Sequence, residues 1–198
     1  MNTGWFRPFV QAFPLISIVL LVLGVLEPAR AQPAAEEYKV KAAFLFHFAQ
    51  LVDWPTGALG DPSINLCIFD DEPRRLELQH TLEGKVVGPR ELHILVLDQP
   101  EVSQNCNILF LSHDEVRRQA ATLRSLRGRP VLTVGETDTF LADGGMIRFH
   151  LEADKIRFDI NTQAADSSHM KISSRLLLLA GSVTLGDGLE RGRSTYAH

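Results

Sequence analysis

Four short apolar runs, Ile64–Phe69, Leu92–Leu97, Ile108–Leu111 and Pro130–Val134, alternate with segments that read as helices, and this alternation restricts the fold more than any other feature of the chain. Each run has the length of a buried strand and is too short for a helix. Between them, Pro73–Leu82 carries proline in its first turn and Gly84 just past its end, and Asp114–Leu126 stops at Gly128. Strands separated by helices need crossover connections, which predicts a mostly parallel sheet with helices on both faces. Met146–Leu151 and Lys155–Ile160, joined by Glu152-Ala153-Asp154, predict an antiparallel C-terminal hairpin at the edge of that sheet. Helices are also expected over residues 36–52, Thr137–Ala142 and Ile172–Val183. With 198 residues and 45% hydrophobic content, no internal repeat and no dividing linker, the expectation is a single α/β domain over residues 32–185. Residues 186–198 read as a polar, flexible tail.

The first 31 residues read differently. Arg7 is followed by the apolar run Leu15–Leu26, then by Ala29-Arg30-Ala31. That run is short of the roughly 20 residues that a spanning helix needs and suits a signal-peptide core. Cleavage is expected after Ala31, which places the domain on the far side of a membrane. An uncleaved anchor is the competing reading, but Pro14 and Glu27 interrupt any extension of the apolar stretch. The net charge of −4 argues against nucleic acid as a partner, because phosphate binding needs a basic surface.

Export changes what the two cysteines imply. In an oxidising compartment, two cysteines in one small domain are expected to pair. Cys67 lies in one apolar run and Cys106 stands just before another, so neighbouring strands would bring them together. Two inert buried thiols remain the alternative.

The segment 36–52 is rich in aromatic residues. Phe44, Phe48, Leu51 and Val52 make one stripe, and Phe46 falls roughly opposite Phe44. A helix apolar on more than one side is either deeply buried or covered by a second surface. Phe44, Phe46, Phe48 and the nearby Trp54 are therefore candidate interface residues, with burial in the core as the alternative.

Motifs that carry chemistry are scarce. Ser112-His113-Asp114-Glu115 holds the residue types of a hydrolytic triad, but adjacent residues on one turn cannot take those roles. As S-x-x-E after a strand it predicts a capping box. The seven histidines show no metal-binding spacing, and there is no G-x-S-x-G, P-loop or G-x-G-x-x-G. No catalytic residue, metal or cofactor is expected, and the chain is not expected to be an enzyme. Gly84-Lys85-Val86-Val87-Gly88-Pro89-Arg90 sets two cations among glycines, as an anion-binding loop or as a plain turn with solvated charges. Arg148 and Arg157, one on each arm of the hairpin, and Arg175 complete the candidate ligand-binding set, which would serve a small-ligand (anion or metabolite) sensor.

Several blocks together resemble a known family. They are Tyr38-Lys39-Val40-Lys41-Ala42-Ala43-Phe44-Leu45-Phe46-His47-Phe48-Ala49 with Val52-Asp53-Trp54-Pro55, Cys106-Asn107-Ile108-Leu109-Phe110-Leu111-Ser112, Pro130–Val134, Gly144–Phe149 and Ile172–Leu177. In this order, after a signal peptide, they resemble the YfiR-like family of exported bacterial proteins. The resemblance implies a periplasmic, non-catalytic α/β protein that represses a membrane-bound diguanylate cyclase through the periplasmic region of that inner-membrane enzyme. It also implies sequestration by an outer-membrane lipoprotein, a homodimer, and a family disulfide that maps onto Cys67 and Cys106. A second cysteine pair found in some members is missing. Where the family often has Gly-Arg-Pro, this chain has Gly88-Pro89-Arg90-Glu91.

Overall fold

The apolar runs lie side by side in the computed structural model, which describes residues 31–59, 62–69, 72–97, 105–185 and 190–192. The expected export segment, up to residue 30, lies outside the described residues. Helix α1 (Ala31–Leu51) leads into a two-residue strand β1 (Val52–Asp53). Then follow β2 (Ser63–Phe69), α2 (Glu72–Leu82), the short β3 (Val86–Val87), β4 (Arg90–Leu97) and β5 (Ile108–Leu111). A 3-10 turn (His113–Glu115) opens α3 (Val116–Ser125), followed by β6 (Leu132–Gly135), β7 (Ile147–Glu152) and β8 (Lys155–Asn161). The chain closes with α4 (Thr162–Ser167), β9 (Lys171–Ile172), α5 (Ser174–Leu179), β10 (Ser182–Thr184) and β11 (Glu190–Gly192). The described residues from Pro33 onward form one compact unit.

The main sheet has the order β11-β10-β8-β7-β6-β5-β2-β4-β3. From β4 through β2, β5 and β6 to β7 every pairing is parallel. The expected hairpin is present, with β7 antiparallel to β8 from Ile147↔Ile160 to Glu152↔Lys155. It does not form the edge, because β10 adds parallel to β8 and β11 adds antiparallel to β10. The strand β11 falls inside the segment read as a polar tail; the rest of that segment lies outside the described residues.

Two apolar layers form because neighbouring side chains along a buried strand point to opposite faces. One face presents Leu66, Ile68, Phe110, Val134, Phe149 and Phe158 to α1 and α2. Along α1, Ala42, Leu45, Phe48 and Ala49 recur at helical spacing and are buried. Phe48 stacks on Phe149 with ring centroids 5.6 Å apart and meets Phe158 edge-on at 5.0 Å. The far end of α1 is fixed to the late part of the chain. Val52 and Asp53 pair with Ile172 and Lys171, and the Ser173 N–H donates to the Leu51 carbonyl at 3.0 Å. The other face carries Cys67, Leu109, Leu111 and Val131 against Leu123 and Leu126 at the end of α3.

Three local expectations are corrected. Thr137–Ala142 forms turns rather than a helix, and these turns bury Phe140 completely. Ile172–Val183 is not one helix: α5 is six residues long, and Ala180 is extended at φ −68° and ψ 146°. There the Gly181 N–H donates to the Phe158 carbonyl, so pairing with β8 overrides helical propensity. Ser112 makes no side-chain cap; the Glu115 N–H donates to the Ser112 carbonyl, and the Glu115 carboxylate pairs with Arg118 at 2.7 Å. Among the described residues, Asn161 caps α4 and Ser173 caps α5 through their side chains.

Cys67 and Cys106 form a disulfide with Cα atoms 5.8 Å apart. β2 and β5 pair in parallel with Cys67 opposite Leu109, and Cys106 stands two residues before β5. Mass spectrometry without reduction is expected to find neither cysteine alkylated. Replacing both with serine is expected to cost about 2–4 kcal/mol in urea unfolding.

The Phe140 ring occupies the space above two glycines. A Cβ on Gly135 or on Gly145 would lie 2.2 Å from the ring. Gly135→Ala is therefore expected to destabilise the protein by about 1–3 kcal/mol through overpacking, read as a lower urea midpoint at unchanged slope.

Candidate functional site

Parallel strands that end together, with helices on both faces, leave a crevice beyond their carboxyl ends, and ligands of open α/β sheets bind there. In this chain β5 and β6 end at Leu111 and Gly135, and the next residues supply the polar groups. Glu136, directly after β6, is the hub. Its carboxylate accepts from Lys41 Nζ at 2.5 Å, from the Tyr38 hydroxyl at 3.3 Å and from the His113 backbone N–H at 3.0 Å. Lys41 also pairs with Glu37 one helical turn earlier. The Lys41 and Glu136 side chains are only 5% and 8% exposed, so this ion pair is buried.

Arg74, in the first turns of α2, extends the cluster. It pairs with Asp114 and lies 5.8 Å from the centre of the Tyr38 ring, while the Lys41 ammonium lies 4.5 Å from that centre. Beside the cluster an open crevice of about 440 Å³ is lined by Glu37, Tyr38, Lys41, His113, Glu136 and His150, among others.

Burial works against the Lys41 charge, but the Glu136 and Glu37 carboxylates outweigh it and hold its pKa above the usual lysine value. Burial, then the nearby Glu136 charge, pushes the Tyr38 phenol up. Hydrogen bonding to Arg74 holds the Asp114 carboxyl below its usual range. The chemistry is that of a fastening. The Lys41 ammonium is bound by two carboxylates, and among the described residues no cluster of three metal-ligating side chains is present.

The sequence-predicted candidates are dispersed. Lys85 and Arg90 flank the β3–β4 turn at one end of the sheet. Arg148 and Arg157 stand on β7 and β8, with β6, β5 and β2 between them and β4. Arg148 pairs with Asp159 directly across the hairpin at 2.7 Å, and Arg157 with Glu152 at 3.4 Å. Asp159, 7% exposed at its side chain, also accepts from Ser182 and faces His150 at 3.1 Å. Arg175 is exposed on α5. These five cations therefore do not converge.

Of the four aromatic candidates, Phe48 lies wholly inside the core. Phe44 is half-buried, 5.4 Å from Phe158, and lines a shallow apolar hollow with Val40 and His47. Phe46 and Trp54 are half-buried, and Lys85 lies 5.7 Å from the Phe46 ring centre. Sequence reasoning missed Lys41 and Glu136. The available signal was position: Lys41 precedes Leu45 by four residues and Phe48 by seven, so it falls within the apolar stripe, where a cation needs a buried partner.

Lys41→Met is expected to cost about 3–5 kcal/mol, because it strands the Glu136 charge. Lys41→Met with Glu136→Gln is expected to cost less than the sum of the single changes. Lys41 and Tyr38 both have folded pKa values raised above their ordinary 10.5 and 10.0. The stability they contribute is complete below those values and lost as pH rises through the folded ones. Urea unfolding from about pH 9 to about pH 11 is expected to show this alkaline loss, and the Lys41→Met/Glu136→Gln/Tyr38→Phe variant a flatter profile.

A family model described as YfiR/HmsC-like matches residues 38–181, from Tyr38 in α1 to the residue before β10. The chain belongs to the YfiR/HmsC-like family, whose members are regulatory proteins rather than catalysts.

Proposed function

We propose that this protein is exported through residues 1–31 and represses a membrane-bound diguanylate cyclase by binding its periplasmic sensor region, which lowers cyclic di-GMP. The observation that carries the reading is the family match over residues 38–181, nearly the whole described domain. The Cys67–Cys106 disulfide supports it, since such bonds persist in oxidising compartments. Sequestration by an outer-membrane lipoprotein, and action as a homodimer, belong to the same reading.

Repression by binding is a matter of differential affinity. The protein must hold the inactive state of the cyclase more tightly than the active one. A preference of about 2.7 kcal/mol shifts that balance roughly a hundredfold, within the usual range of allosteric coupling. The half-buried aromatics of α1 and Trp54 supply amphipathic surface suited to such contacts.

Deleting the gene is expected to raise cellular cyclic di-GMP and surface attachment. The full chain is expected to restore both, and the chain without residues 1–31 to restore neither. Unchanged cyclic di-GMP on deletion, in cells that express both proteins, overturns the repressor reading.

A further inference from the structure

Strand β4 has one side fully paired and one side open. Its inner side pairs with β2 from Glu91 to Leu97. On its outer side β3 pairs only with Arg90 and Glu91. The Glu91 N–H donates inward to the Pro62 carbonyl at 3.2 Å, and the Leu92 N–H donates outward to the Lys85 carbonyl at 2.9 Å. Backbone groups alternate along a strand, so the N–H and C=O of Ile94 and Val96 also point outward. Among the described residues no strand meets them.

Natural sheets protect such an edge with lysine, proline, a bulge or a covering element. Here the open stretch reads His93-Ile94-Leu95-Val96-Leu97, without lysine, arginine, proline or glycine, and Val96 is 37% exposed. An open groove of about 560 Å³ runs beside it, between the end of α2 and β4. Leu82, Leu92 and Ile94 supply its apolar lining, and Glu83 and Glu91 its carboxylates. The Lys85 ammonium, also at the groove, sits over the Phe46 ring of α1.

We propose that the β4 edge receives an extended segment of a partner protein by strand addition. The backbone of that segment pairs with Ile94 and Val96, as an unpaired edge requires. One face of the segment is apolar at every second residue and fills the groove, and a basic side chain meets Glu83, beside the Glu91 carboxylate that already lies 3.1 Å from His93 Nε2. This site does not depend on the cyclase reading.

The test uses the oxidised domain from residue 32 with a short fluorescein-labelled peptide that alternates valine with threonine and carries lysine at both ends. Binding is expected to raise anisotropy and to slow amide exchange at Ile94 and Val96. Val96→Pro removes an N–H that the β2 ladder does not use, as edge strands tolerate. It is expected to weaken binding by about tenfold or more, and an N-methylated peptide is expected to fail. Val96→Lys keeps the backbone intact and is expected to weaken binding as well, which preserves the test if the proline variant does not fold. Unslowed exchange at Ile94 and Val96, or unchanged affinity in Val96→Lys, overturns the proposal. Protection of both amides that grows with protein concentration in the absence of peptide identifies a second copy as the occupant and likewise overturns it.

Discussion

The Lys41–Glu136 pair decides how α1 meets the sheet. Hydrophobic contact alone is indifferent to small rotations of a helix over an apolar surface. A buried ammonium is not, because it must reach a carboxylate. Glu136 sits at the end of β6, accepts from the backbone beside β5, and takes both Tyr38 and Lys41 from α1. This single carboxylate therefore fixes the helix against two strand ends. With that angle set, Leu45, Phe48 and Val52 fall on the sheet face, and Phe48 meets Phe149 and Phe158. The opposite end of α1 is held by different means, a short backbone ladder between β1 and β9.

Elements whose burial is uniform were legible in the sequence. Ile108–Leu111 is buried at every position and reads as a strand from its apolar run alone. The crossovers, the parallel pairing and the β7–β8 hairpin followed from punctuation by glycine, proline and short polar turns. Elements whose local preference conflicts with a distant partner were not legible. Leu176 to Leu179 invites a long helix, yet the chain leaves it at Ala180 so that Val183 can pair with Ile160. Thr137–Ala142 has helical composition, but Phe140 is taken into the core beside Gly135 and Gly145. Ser112-His113-Asp114-Glu115 fits a capping box in letters, while Arg118 claims the Glu115 carboxylate.

The site divides in the same way. The disulfide was legible because an expected export, with one cysteine inside an apolar run and the other just before the next, leaves few arrangements. The cations Lys85, Arg90, Arg148, Arg157 and Arg175 were grouped by residue type, and sheet order separates them. Nothing in the sequence marks Asp159 as the partner of Arg148; that pairing arises only from the hairpin register. Glu136 was equally hidden, since its three donors come from α1 and from the end of a different strand. Its significance is a product of topology.

The disulfide has a topological consequence of its own. It joins β2 to the residue that leads into β5, its hydrogen-bonded neighbour, so it adds little to their pairing. What it encloses is the chain between them, a separation of 39 residues that contains α2, β3 and β4. This first crossover is a covalent ring hung on the centre of the sheet, whereas every later element is an open thread. A single backbone cut between Cys67 and Cys106 leaves one molecule with both pieces attached; a cut after Cys106 releases the remainder to be held by packing alone. Strands β3 and β4, at one edge of the sheet, are thus leashed at both ends to the middle of the fold, and β4 can detach from β2 without being lost.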